Sequence, residues 1–229
     1  MPAAYKSLLF VPGARPDRFG KAAASGADTM IIDLEDAVLP DAKTEARTAA
    51  LAWLTNRGEV RAGIRINSPR TAEGCADIAA LAGFDIAKQS QAGVLVGGAD
   101  YSASLGADLS NWDAMIVARG TIAGACGAAG VPAYDVPFLD VKDAAGLDAT
   151  TRQAKAMGFA GRACIHPRQV ETVNAAFQPT PAEILDAKAL IKALEESQGG
   201  AALHNRKLID SPIIQAAEKT LAKDGEKRG

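Results

Sequence analysis

Two histidines, three cysteines and few aromatic residues leave this 229-residue sequence poor in the side chains on which much enzyme chemistry depends. His166 and His204 stand beside no serine or cysteine motif, so neither a Ser-His-Asp nor a Cys-His arrangement is supported. Cys75, Cys126 and Cys164 lie far apart and show neither zinc-ligand spacing nor a paired framework. They read as free thiols in a reducing compartment. No G-x-G-x-x-G or G-x-x-x-x-G-K-[ST] pattern occurs, which removes the standard nucleotide-binding loops. Long apolar runs are missing too: the first one stops at Pro12-Gly13, too short for a signal peptide or a membrane span. Neither sign of charge dominates, with 25 basic and 27 acidic residues, so no global field favours nucleic acid or an anionic membrane. The expectation is a soluble cytoplasmic protein with neither kind of partner.

What is present suits an α/β protein. Hydrophobic residues make up 48% of the chain, enough for a substantial core, and abundant Ala and Gly allow helices to pack closely on strands. Short apolar runs predict strands over 7–11, 29–34, 62–67, 93–96, 131–134 and 161–165. Helical spacing predicts helices within 14–25 and over 42–56, 73–81, 111–129 and 150–157. Strands buried on both faces and alternating with helices imply a parallel sheet with right-handed crossovers. Thr180-Pro181-Ala182-Glu183 reads as a capping box opening a helix to about residue 197, and a charged helix is expected over 219–229. These last 50 or so residues form a core poorly alone. The predicted division is therefore a catalytic domain, 1–180, and a helical extension, 181–229, packing on the core or on a neighbouring subunit.

Polar residues collect where the strands end: Asp33, Glu35 and Asp36, then Arg65 and Asn67, Asp100, Asp135 and His166. In parallel α/β folds that edge carries the chemistry. Were the second strand to continue, alternation would put Asp33 and Glu35 on one face and Asp36 on the other. Two readings of these acids stand. With Asp100, Glu35 and Asp36 supply oxygen ligands for a hard divalent cation such as Mg²⁺. Alternatively, Asp100 caps a turn and the other two pair with nearby Arg or Lys. Arg65, between Ile64 and Ile66, either holds a substrate carboxylate or carbonyl oxygen or forms an internal ion pair. Phe10, Arg15 and Lys21 surround the first strand-to-helix loop, as phosphate-binding groups or as ordinary solvated charges. His166, before Pro167, reads as a loop anchor.

Taken in order, SLLFVPGARPDRFGKA (7–22), DTMIIDLEDAV (28–38), GIRINSP (63–69), GVLVGGADYSASLG (93–106), VPAYDVPF (131–138) and GFAGRACIHPRQVETVNAAFQPT (158–180) resemble the citrate lyase beta subunit and malyl-CoA lyase family of the HpcH/HpaI aldolase superfamily. The resemblance implies a TIM barrel with a C-terminal helical extension, assembled as a trimer or hexamer. It implies a lyase: Mg²⁺-dependent cleavage of a 3-hydroxyacyl-CoA thioester of the citramalyl-, malyl- or citryl-CoA type. By that resemblance Arg65 steadies carbonyl and carboxylate oxygens, Asp100 binds Mg²⁺ with Glu35 and Asp36 near it, and Phe10, Arg15 and Lys21 contact CoA. Asp210, in a segment similar to the family's MVD-P pattern, is the acid/base acting across a subunit boundary.

One departure from the pattern is large. The family has eight barrel strands, and six are predicted here. The two expected between the third strand and GVLVGGAD, one of them ending in a second metal-binding glutamate, have no room between Asn67 and Gly93. Either that segment is left out of the chain as given or the protein lacks it. The barrel wall is expected to be open at that point. Two further readings follow: a CoA-binding relative or partner subunit whose metal site is incomplete, and an aldolase acting on free 2-oxo acids.

Overall fold

Short runs rich in apolar residues favour extended backbone; the four central runs are largely buried, while the two at the sheet edges stay partly exposed. In the computed structural model, which describes residues 4–82, 93–196, 202–204, 207–209 and 211–225, the strands are β1 (Ser7–Pro12), β2 (Thr29–Asp33), β3 (Ala62–Arg65), β4 (Val94–Leu95), β5 (Ala133–Asp135) and β6 (Gly161–Cys164). They form one parallel sheet in the order β3-β2-β1-β6-β5-β4. Chain order therefore runs outward from β1 to β3, resumes at the opposite edge with β4, and returns through β5 and β6 to pair with β1. That is the strand order of a barrel with one arc removed, between β3 and β4. The architecture is an α/β half-barrel.

The connecting helices are α1 (Phe19–Ala23), α2 (Lys43–Thr55), α3 (Ala72–Leu81), α4 (Gly98–Leu105), α5 (Ile116–Ala129), α6 (Ala144–Ala156) and α7 (Arg168–Phe177). Leu9 and Val11 of β1, Met30 and Ile32 of β2, Phe19 of α1 and Val173 and Phe177 of α7 are buried in one continuous core. Phe19 meets Trp53 edge to face at 5.9 Å. Three of these helices go beyond the sequence expectations, the first being α4, which follows Gly97 where no helix was predicted. Asp143, whose side chain accepts from the Gly146 amide, starts α6 several residues before the predicted 150. Helix α7 was not predicted, although Val170, Val173 and Phe177 bury one face of it.

Asp135 was grouped with the residues at the chemical edge of the sheet, and the structure corrects this. It is fully buried between Arg119 and Arg162, accepting from Arg119 Nε at 2.8 Å, with its other oxygen 3.6 Å from Arg162 Nη2. Arg162 also donates to Val136 O, Thr150 Oγ1 and Thr151 Oγ1, and Arg119 stacks on Trp112. Burial holds the Arg162 guanidinium below its ordinary pKa, against the charge of Asp135. The cluster ties α5, β5, β6 and α6 together and lines no part of the cavity described below.

The chain separates into two compact units, Met1–Phe177 and Gln178–Gly229. In the second, α8 (Pro181–Glu196) begins with the expected capping box: the Thr180 amide donates to Glu183, and the Glu183 amide donates to Thr180 Oγ1. An antiparallel pair, β7 (Ala202–His204) and β8 (Lys207–Ile209), precedes α9 (Ser211–Gly225), which starts well before the charged stretch expected at 219. No helix among the described residues is long and apolar enough to cross a membrane.

Candidate active site

The C-terminal ends of β1, β2, β3 and β4 surround a cavity of about 440 Å³, within the range usual for small-molecule sites. Phe10, Asp33, Asp36, Arg65, Gly97 and Asp100 are among its lining residues. Register explains the gathering: Asp33 on β2 pairs with Arg65 on β3, so the two side chains leave neighbouring strands at one level.

Arg65 organises the mouth. Its Nε and Nη2 donate to the two oxygens of Asp33 at 2.8 and 2.5 Å, a bidentate pair. Its Nη1 lies 2.9 Å from Asp36 and 3.5 Å from Glu35, and its guanidinium stands over the Phe10 ring at 5.4 Å. Strand β2 stops at Asp33, so the alternation that would have sent Asp36 to the opposite face does not apply. All three acids turn toward one arginine. Exposure separates their roles: the Asp33 side chain is 4% exposed, that of Glu35 39% and that of Asp36 71%. Asp33 is the buried counter-ion that fixes the guanidinium plane, while the other two face solvent. Of the two readings of Arg65, the internal ion pair is present. The Nη1 edge of Arg65 is taken by Asp36 and Glu35 rather than by Asp33.

Burial raises the Glu35 carboxyl above its ordinary pKa, followed by the charge of Asp36; Arg65 opposes this, and Asp33 and Asp100 add to it. Arg65 is held above its ordinary value chiefly by the hydrogen bonding it donates to Asp33. Asp100, exposed in the first turn of α4, follows Gly97 and Gly98. A Cβ at Gly98 would strike Val136, whereas one at Gly97 would meet only the Asp100 carboxylate, at 3.8 Å. Gly97 therefore keeps space open beside Asp100. These donors fit a hard cation such as Mg²⁺ in kind: oxygen ligands, a crowded carboxylate whose negative form is disfavoured, and open space next to Asp100. Among the described residues no three His, Cys, Asp or Glu side chains lie close enough to cage an ion. Substrate and water would complete the shell.

The remaining predicted residues lie as follows. Phe10 is in the cavity. Arg15 is exposed and donates to Asp17 at 2.9 and 2.8 Å, and Lys21 is exposed on α1; neither lines the cavity. His166 Nδ1 accepts from the Arg168 amide, anchoring the loop as expected. Asp210 lies outside the described residues. Cys164 is buried and its thiol pushed up to about 12 by desolvation, which leaves it inert as a nucleophile. Sequence reasoning passed over Lys43, whose ammonium reaches the backbone of the acidic turn. The available signal was a lysine opening a helix, at the end where the dipole disfavours a cation.

Comparison with known proteins agrees with these features. The crystal structure of the protein CitE from Mycobacterium tuberculosis in complex with magnesium, acetoacetate and coenzyme A superimposes with a TM-score of 0.80 at 32% identity, covering 98% of this chain and 100% of that one. A (3S)-malyl-CoA thioesterase of Cereibacter sphaeroides is 31% identical over 272 aligned positions, covering 96% of this chain and 94% of the relative. An L-malyl-CoA/beta-methylmalyl-CoA lyase of the same species is 27% identical, covering 92% of this chain and 91% of the relative. This chain has 229 residues, so at least 43 of the 272 positions face a gap in it. The sequence model of the HpcH/HpaI aldolase/citrate lyase family matches in two overlapping pieces, residues 6–86 and 70–167, as it would if family positions were missing near the overlap. That overlap falls between β3 and β4, where the half-barrel is open. With one family's pattern recurring across both pieces and relatives aligned nearly end to end, the chain belongs to the HpcH/HpaI aldolase/citrate lyase family.

Proposed function

We propose that the protein is a Mg²⁺-dependent carbon–carbon lyase that cleaves a 3-hydroxyacyl-CoA thioester, of the citramalyl-, malyl- or citryl-CoA type, into acetyl-CoA and a 2-oxo acid. The observation that carries this reading is the mouth of the cavity: Arg65, locked by buried Asp33, shares it with exposed Asp36 and Asp100, and half-buried Glu35 stands behind them within 3.5 Å of Arg65. Relatives named for malyl-CoA chemistry, and one crystallised with magnesium and coenzyme A, support the substrate class. The finer fold reading is a TIM barrel lacking two strand–helix units, with residues 1–180 as catalytic domain and 181–229 as an extension in a trimer or hexamer.

Cleavage removes the proton from the 3-hydroxyl, breaks the bond between that carbon and the thioester α-carbon, and protonates the resulting enolate to give acetyl-CoA. Mg²⁺, when bound, supplies positive charge next to the oxygens on which negative charge grows. Asp100, Glu35 and Asp36 are the residues that would hold it. Arg65 contributes fixed donors: Asp33 prevents its plane from turning, so its Nη1 edge is already oriented for a substrate oxygen once Asp36 gives way. An exposed pair such as Arg65–Asp36 is worth at most about 1 kcal/mol, so a substrate carboxylate displaces it readily. Phe10 offers an apolar wall, and Arg15, once it leaves Asp17, reaches for CoA phosphates with Lys21. Asp210 is proposed as the proton-transferring acid.

The test is a coupled assay on these thioesters with Mg²⁺ and then with EDTA. Acetyl-CoA together with a 2-oxo acid, abolished by the chelator, is the expected result. Free CoA with an intact hydroxy acid would make the protein a hydrolase instead. A second reading, a CoA-binding relative with an incomplete metal site, is favoured by the lack, among the described residues, of three His, Cys, Asp or Glu side chains placed to hold one ion. Mg²⁺ titration by calorimetry separates the two: one ion per chain at millimolar affinity or tighter supports the lyase, and no binding supports the impaired relative.

A further inference from the structure

The acidic turn after β2 is held from two sides, and the sides differ in kind. On the cavity side, Arg65 contacts the carboxylates of Asp33, Glu35 and Asp36. On the helix side, Lys43 contacts only the main chain of the turn: its Nζ donates to Leu34 O and Glu35 O, both at 3.0 Å. A third bond, to Asn67 Oδ1 at 2.6 Å, uses the remaining donor of the ammonium. We infer that Lys43 is a positioning residue, which holds the turn carrying Glu35 and Asp36 in ligand-ready geometry when the Arg65 pairs are given up.

The network behind Lys43 fixes its direction. Asn67 has its amide oxygen on Lys43 and its amide nitrogen on Leu34 O at 2.9 Å and Asp77 Oδ2 at 2.8 Å. That orientation satisfies both ends of the amide; a flip would set its NH₂ against the ammonium. Asp77, buried on α3, also accepts from the Asn67 amide and from Arg47 Nε at 2.6 Å. Lys43 and Arg47 lie four residues apart on α2 and so share a face. Close approach of α3 is possible because residue 74 is glycine: a Cβ there would overlap Ser68 O. Two helices and the loop after β3 thus converge on two carbonyl oxygens of one turn.

The position of Lys43 makes sense only for such a role. A cation in the first turn of a helix opposes the dipole, and immobilising a lysine side chain costs entropy. Both costs are offset by three hydrogen bonds to acceptors that are not carboxylates. When a cation or substrate draws Glu35 and Asp36 away from Arg65, the carboxylate contacts change and the Lys43 contacts do not. The ligand then finds its acids already placed, which is where affinity is gained.

This inference rests on the Mg²⁺ reading above, and its test separates the two. Full-length wild type, Lys43→Met, and Lys43→Cys before and after aminoethylation are compared, with aminoethylated wild type as control. Aminoethylation of the cysteine restores an ammonium at lysine length. Mg²⁺ affinity is read by calorimetry, and backbone exchange of a peptide covering residues 33–38 by mass spectrometry without Mg²⁺. Expected are a roughly 10- to 100-fold loss of Mg²⁺ affinity and faster exchange in Lys43→Met, both reversed by aminoethylation of Lys43→Cys. Unchanged affinity in Lys43→Met, or a loss that the restored ammonium does not reverse, overturns the inference. Should wild type bind no Mg²⁺, the lyase reading fails and exchange alone decides: faster exchange in Lys43→Met, reversed in the aminoethylated variant, upholds the anchoring of the turn, and unchanged protection overturns it.

Discussion

Arg65 shows how one residue acquires a role from what surrounds it. A lysine in its place would keep the charge but lose the fork that meets both oxygens of Asp33. Arg65→Lys is expected to lower kcat/KM by about 100-fold or more, the scale seen when a preorganised donor to a developing oxyanion is removed. Steady-state kinetics on the responsive thioester check this, and a variant within threefold of wild type would remove Arg65 from the reaction. The sequence singled out Arg65, because a charge between two isoleucines demands a partner. It could not say that Asp33 would be that partner, since the choice depends on the register of β2 against β3. It placed Asp36 on the opposite face only if the second strand continued, and the strand ends at Asp33, before alternation reaches it.

At the scale of elements, the contact between α2 and α3 behind the acidic turn sets how the site responds to acid. Burial works to raise the Asp77 carboxyl, but hydrogen bonds from the Asn67 side chain and backbone and from Arg47 outweigh it, leaving its pKa below the ordinary 3.8. The folded value lies below the unfolded one, so the unfolded chain binds more protons in the interval between them. The stabilisation is therefore complete above the ordinary value and is lost as pH falls through the folded one. Melting temperatures between pH 3 and 7 should show wild type above Asp77→Asn near neutrality, with the difference shrinking below about pH 4. A constant difference would deny Asp77 its charge-dependent role. The strands were legible as apolar runs between breakers. Helix α7 was legible too, since Val170, Val173 and Phe177 recur at helical spacing, but no element was read beyond His166-Pro167 there. Asp135 was misread for a different reason: a strand-end acid looks the same in sequence whether it faces a cavity or two buried arginines.

For the molecule as a whole, the half-barrel and the proposed assembly belong together. A sheet with β3 and β4 as edges offers unpaired backbone, and Val94 and Leu95 of β4 are 41% and 38% exposed. Such edges are a liability for an isolated chain. The trimer or hexamer proposed here predicts a light-scattering mass near three or six times 23.6 kDa, and a monomer at micromolar concentration would refute it. By itself the sequence determined the alternation of strands and helices, the family pattern and the identity of the cluster around Glu35, Asp36, Arg65 and Asp100, because apolar periodicity and charges placed against it are local. It also showed that too few residues separate Asn67 from Gly93 for two further strands and their helices, since strands need a minimum length of chain. Only the tertiary structure decided which acid is the buried counter-ion and which acids face the cavity, and only it brought Lys43, Asn67 and Asp77 behind the turn. Those outcomes depend on register and on helix approach, which are set by packing between segments distant in sequence.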